Sequence, residues 1–140
     1  MKPSVHLAET LAEEAHKEQT YGGESYFKKH ITGVAISIAA HCLPEEYVIV
    51  ANLHDIVEDT SVSLDTIYNL FGKVVGEAVY AITKRDGEDR QTYLARCASN
   101  KITRVVKLHD AMFNATSCHK NKNKTKFNYY LQTIAALEQK

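Results

Sequence analysis

The segment Asn52-Leu53-His54-Asp55-Ile56-Val57-Glu58-Asp59-Thr60 places four ionisable side chains inside an otherwise apolar run that begins at Tyr47. Wound as one continuous helix at about 100° per residue, His54, Asp55, Glu58 and Asp59 fall within an arc of about 140°. Val48, Ile49, Val50, Leu53, Ile56 and Val57 cover the rest of the cylinder, the pattern of a core helix. Carboxylates on such a helix are costly unless paired or bound to a metal. A self-satisfied His54–Asp55 pair is the plain structural reading, but three carboxylates need more positive charge than one histidine supplies. Two further polar residues stand among core positions. His30 edges the apolar face of Ile31, Val34, Ala35 and Ile38, and Asp110 lies in the apolar run from Val105 to Phe113. Alone, His30 reads as a structural histidine, and Asp110 as a partner for Lys107 three residues earlier. Together, His30, His54, Asp55 and Asp110 form a two-histidine, two-carboxylate set. Mn²⁺ and Fe²⁺ accept such mixed nitrogen and oxygen donors.

The elements that must position these residues read as helices joined by short loops. Glycine and proline are scarce, and no stretch alternates apolar and polar over strand length. Helices are expected over Val5–Lys17, Tyr26–His41 and from Pro44 to about Thr60. Further helices follow over Leu64–Phe71 (capped by Ser63 and closed by Gly72), Lys73–Thr83, Arg90–Ala98, Lys101 to about Cys118, and Phe127–Leu137. Tyr21-Gly22-Gly23-Glu24-Ser25 reads as a turn, with the glycines supplying permissive backbone. Arg90 and Arg96 read as solvated residues of an amphipathic stretch. His119 to Lys126 reads as a solvated basic loop. With no internal repeat and no long linker, residues 1–140 are expected to form one all-α domain.

Composition sets bounds on partners. The formal net charge is +0, so neither nucleic acid nor an acidic membrane surface is an expected partner. The N-terminus has no apolar signal core, and no apolar run is long enough to span a membrane. The three cysteines, Cys42, Cys97 and Cys118, are odd in number and lack CxxC spacing. That suits a reducing, cytoplasmic location and argues against a disulfide framework. Self-association stays open.

The order H…HD…D across several helices is the HD-domain phosphohydrolase signature, and this chain resembles that superfamily. Leu53 to Thr60, Phe71-Gly72, Ile82-Thr83-Lys84 and Val106-Lys107-Leu108-His109-Asp110 with Asn114 are similar to the hydrolase domain of RelA/SpoT-type alarmone enzymes. They also resemble the free-standing small alarmone hydrolases. Ala15-His16, Gln19 and Gly23-Glu24-Ser25-Tyr26 match the loop that leads to the first metal ligand in that family. The similarity spans roughly Leu11 to Asn114. Departures are Ser25 and Ile31 where the family has proline, and Thr20-Tyr21-Gly22-Gly23 where it commonly has a basic residue or pair.

The resemblance implies an HD-type helical bundle with one divalent ion per chain, Mn²⁺ by preference, with Fe²⁺, Co²⁺ or Zn²⁺ as alternatives. His30, His54, Asp55 and Asp110 are its implied ligands. Glu58 and Asp59 would orient or deprotonate the attacking water and handle the leaving group's proton; helix-end capping is their structural alternative. Lys84 and Lys107 would offset phosphate charge, Asn114 would meet a ribose or base, and Tyr21 would stack on the base. Tyr26 is expected only to pack against the second helix, and His109 to be a neighbour rather than a ligand. The implied reaction is hydrolysis of (p)ppGpp to GDP or GTP and pyrophosphate, since a synthetase domain would not fit in this length. The rivals are a 5′-nucleotidase or other nucleotide pyrophosphohydrolase on the same site, and a nucleotide-binding HD module with little turnover.

Overall fold

Ser4 caps the first helix, its hydroxyl accepting the Leu7 N–H at 3.0 Å, and α1 runs Val5–Ala15. The computed structural model describes residues 4–138; residues 1–3 and 139–140 of the expected domain lie outside it. Gly22 and Gly23 both take positive φ, 60° and 86°. The expected turn therefore tightens into a hairpin, β1 Thr20–Tyr21 against antiparallel β2 Glu24–Ser25.

The second helix begins as a π-helical turn, Phe27–Ile31, and continues as α2 Thr32–Ala40. Turns of this kind are rare and concentrate at functional sites; this one carries His30.

The central segment departs most from expectation, because it is not one helix. α3 Glu45–Leu53 ends at His54, Asp55 leaves helical geometry (φ −110°, ψ 0°), and α4 Ile56–Asp59 is a separate turn. Thr60 closes α4 by donating its hydroxyl to the Ile56 carbonyl at 2.6 Å. On a continuous helix the neighbouring side chains of His54 and Asp55 would diverge by about 100°. The break lets both face one centre.

α5 Leu64–Ile82 starts at the Ser63 cap and kinks at Gly72 (φ 87°, ψ −179°), a conformation open almost only to glycine. α6 Arg90–Ser99 is capped by Asp89, and α7 Lys101–Lys120 by Asn100, whose Oδ1 accepts the Ile102 and Thr103 N–H groups. α8 Lys124–Glu138 begins earlier than Phe127. Asn123 Oδ1 takes the Lys126 N–H at 3.2 Å, and this cap reduces the expected basic loop to residues 121–123.

α7 is the hub, packed against α2, α3, α5, α6 and α8. Ile38, Val50, Leu53, Ile56, Ile67, Val79 and Val106 form the centre of the core. Burial of such side chains is the main stabilising contribution and fixes the backbone on which the polar cluster stands. No helix among the described residues is long and apolar enough to cross a membrane.

Candidate metal centre

Three separate backbone features deliver one set of donor atoms: the π turn carries His30, the α3–α4 break carries His54 and Asp55, and the middle of α7 carries Asp110. Asp110 Oδ1 lies 2.8 Å from His30 Nε2 and 3.2 Å from His54 Nε2. Asp55 Oδ2 lies 3.2 Å from His54 Nε2 and 4.0 Å from His30 Nε2. The ligand atoms of His30, His54 and Asp110 all fall within 4.8 Å of one another. All three residues are buried, while Asp55 opens partly to the adjoining cavity.

The surrounding bonds aim these atoms. His54 Nδ1 lies 2.6 Å from the Ala51 carbonyl, which makes Nδ1 the hydrogen-bond donor and turns Nε2 towards Asp55 and Asp110, where a metal would take its place as partner. The Tyr26 hydroxyl donates to Asp55 Oδ2, a role beyond the packing expected of it. The signal was in its spacing, since Tyr26 precedes His30 by four residues. Lys107 Nζ donates to Asp110 Oδ2 at 3.1 Å, so Asp110 keeps its lysine partner and still presents Oδ1 to both histidines.

Charges inside the cluster are strongly biased. Burial alone would lower the His54 imidazole, but Asp55 and Asp110 outweigh it and hold its pKa well above the ordinary value. Burial alone would raise the carboxyls; His54 holds Asp55 down to about 2, and Lys107 and the histidines hold Asp110 well below the usual range. His30, His54 and Asp110, with the Asp55 carboxylate beside the two histidines, are a donor set of mixed nitrogen and oxygen that fits a divalent ion.

Glu58 and Asp59 stand beside the cluster on α4. The Lys84 backbone N–H donates to Glu58 Oε1 at 2.8 Å, and the Gln19 amide donates to the Asp59 carbonyl at 3.1 Å. Burial raises both carboxyls above the ordinary range; Asp55 nearby adds to the shift at each. A cavity of about 330 Å³ opens here, lined by Asp55, Glu58, Asp59, Lys84, Lys107 and Asn114.

Tyr21 also borders that cavity but is already engaged. Its ring stacks on His30 (centroids 5.0 Å apart, planes at 25°), and its hydroxyl donates to Asn114 Oδ1 at 2.7 Å. A free stacking face for a base, as expected from sequence, is thus partly spent within the protein. Across Tyr21 lies a groove of about 630 Å³ that contains none of the cluster residues. His109 lines that groove with its Nδ1 2.7 Å from Ser37 Oγ, away from the cluster. The closing helix α8 is expected from sequence, but its place at the site is not: it supplies Tyr129, Tyr130 and Thr133 to the cavity wall. Arg90 is not a solvated residue: its guanidinium donates to the Tyr129 carbonyl at 2.8 Å and to Thr133 Oγ1, tying α8 to α6. Arg96 likewise pairs with Glu88.

A helical bundle built around a buried His/His-Asp/Asp cluster defines a class of metal-site domain. The HD-domain family model matches residues 8–113, and the chain belongs to that family. Over 82 residues it is 35% identical to the bifunctional (p)ppGpp synthase/hydrolase SpoT of Escherichia coli K12, covering 59% of this chain and 12% of that protein. It is 29% identical over 119 residues to the guanosine-3′,5′-bis(diphosphate) 3′-pyrophosphohydrolase of Aquifex aeolicus, covering 79% of this chain and 17% of the relative. The chain therefore spans only about an eighth to a sixth of the length of these curated relatives. The fold matches a solved metazoan ortholog of SpoT, described as hydrolysing ppGpp and acting in starvation responses. That match has TM-score 0.81 and 20% identity, over 99% of this chain and 88% of the other.

Proposed function

We propose that this protein is a metal-dependent phosphohydrolase that removes the 3′-pyrophosphate of guanosine 3′,5′-bis(diphosphate). The observation that carries this reading is the convergence of His30, His54, Asp55 and Asp110 beside Glu58 and Asp59, at the floor of a cavity edged by lysines. The four residues would hold one divalent ion, Mn²⁺ by preference, which when bound polarises a phosphoryl oxygen and lowers the pKa of water. Glu58 and Asp59 serve as the acid–base pair. A carboxyl raised by burial can keep a proton closer to neutral pH and pass it to a leaving oxygen, and its ionised partner can accept one from water. The Lys84 N–H fixes one oxygen of Glu58, so the carboxyl enters the reaction already oriented. The side chains of Lys84 and Lys107 offset phosphate charge, and Asn114, oriented by the Tyr21 hydroxyl, meets sugar or base. The names of the bacterial relatives support the substrate, and the free cysteines support action in a reducing cytoplasm.

The test is a nucleotide panel incubated with the Mn²⁺-loaded protein, with products identified by mass. Pyrophosphate and GDP from ppGpp are the expected result. Phosphate from nucleoside 5′-monophosphates, with no pyrophosphate from ppGpp, would keep the metal chemistry and replace the alarmone reading with a 5′-nucleotidase.

A further inference from the structure

The two histidines of the cluster are held in different ways. A metal-ligating histidine almost always donates its second ring N–H to a carboxylate, carbonyl or water, which fixes both tautomer and orientation. His54 follows this rule through the Ala51 carbonyl. His30 does not: its Nδ1 is buried and has no hydrogen-bond partner among the described residues. Three aromatic rings gather about it instead. Tyr21 and Tyr26 stack on the imidazole with centroids 5.0 and 5.2 Å away and planes inclined by 25° and 24°. These two rings are only 6.1 Å from each other, so they cover neighbouring parts of His30 rather than its opposite faces. Phe113 meets the imidazole edge-on at 5.2 Å and 84°.

Phe113 reaches that position because residue 33 is glycine. A Cβ at Gly33 would lie 2.4 Å from Phe113 Cε2, well inside van der Waals contact. Gly33 follows His30 by three residues, so the same stretch of chain that presents the histidine also seats the ring that braces it. Aromatic packing of this geometry is directional and attractive, but it leaves the ring without the hydrogen bond that His54 has.

We infer that Tyr21, Tyr26 and Phe113 position His30 for metal binding in place of the usual hydrogen bond, and that Gly33 is the residue that makes room for Phe113. The inference rests on the metal-centre reading above. It makes Phe113 and Gly33 positioning residues, touching neither substrate nor ion.

Titration of Mn²⁺ alone into the wild type, Phe113→Leu, Gly33→Ala and Phe113→Tyr tests this, with the metal-free thermal midpoint measured on the same samples. Phe113→Leu and Gly33→Ala should weaken Mn²⁺ binding by roughly 10–100-fold, the scale for losing outer support of a metal-bound histidine. Phe113→Tyr, which keeps the ring, should bind nearly as tightly as the wild type, and all metal-free midpoints should stay close together. Wild-type affinity in both Phe113→Leu and Gly33→Ala overturns the inference. A loss that Phe113→Tyr does not restore, or that accompanies a matching fall in the metal-free midpoint, also overturns it, because a general packing defect then explains the result. A wild-type protein that takes up no divalent ion overturns the metal-centre reading itself, before any variant is compared.

Discussion

Hydrogen bonds decide which oxygen Asp110 and Glu58 each present to the centre. Asp110 gives Oδ2 to Lys107 and Oδ1 to the histidines, while Glu58 gives Oε1 to the Lys84 backbone. The roles of Glu58 and Asp59 separate from the ligand set by substitution. Glu58→Gln and Asp59→Asn keep size and approximate shape, so each should lower kcat by roughly 10²–10⁴ and leave Mn²⁺ bound. Single-turnover rates beside metal analysis check this, and loss of metal with the rate would make these residues ligands. Tyr21→Phe isolates a different contact. It keeps the ring on His30 and removes the hydroxyl from Asn114, so Mn²⁺ affinity should hold. KM for ppGpp should rise roughly 2–10-fold with little change in kcat, the consequence of one hydrogen bond of about 0.5–1.5 kcal/mol.

At the scale of elements, breaks in regular structure do the positioning. The π turn aims His30, the α3–α4 break turns His54 and Asp55 to one centre, and the loop after α5 brings the Lys84 N–H to Glu58. Arg96 holds that loop. Its Nε donates to the Ala81 carbonyl at 3.1 Å, and its Nη2 to the Thr83 carbonyl and Glu88 Oε1, each at 2.9 Å. The hydrogen bonds from Arg96 hold the Glu88 carboxyl down to about 2, against an ordinary 4.5. A carboxyl lowered on folding contributes stability that is complete above its unfolded pKa and is lost as pH falls through its folded value. Glu88→Gln should therefore melt below the wild type at neutral pH. The gap should close as pH falls from about 4.5 towards 2. Thermal melts across that range check it, and a gap independent of pH would assign the effect to packing alone.

For the molecule as a whole, the proposed centre should tie stability to metal content. The chain is neutral in sum, yet Asp55, Glu58, Asp59 and Asp110 crowd one cavity with His54 and Lys107 as the nearest balancing charges. A divalent ion relieves that crowding in the folded state only. Mn²⁺ at 100 times its Kd should add about 2.7 kcal/mol and raise the melting point, a chelator should reverse it, and Asp55→Ala should abolish it. Calorimetry with and without chelator reads this directly; a wild-type melting point indifferent to Mn²⁺ would count against the site.

The residue types of the candidate centre, and the helical class of the chain, were legible in sequence because both are local patterns. Apolar spacing at helical period marks the core faces, and ionisable groups interrupting those faces mark the cluster. The resemblance through His30, His54-Asp55, Glu58-Asp59 and Asp110 then pointed to the family that the domain match shows. What tertiary structure alone decided involves residues far apart in the chain. The Tyr26–Asp55 bond joins residues 29 apart, and the Tyr21–Asn114 bond residues 93 apart. Arg90 meets Thr133 across 43 residues, and no periodicity records such a meeting. The break at His54–Asp55 belongs here too. Helical periodicity continues straight through it, whereas the backbone breaks at Asp55 and so turns two adjacent side chains towards His30 and Asp110, an outcome that depends on contacts with α2 and α7 and not on local pattern.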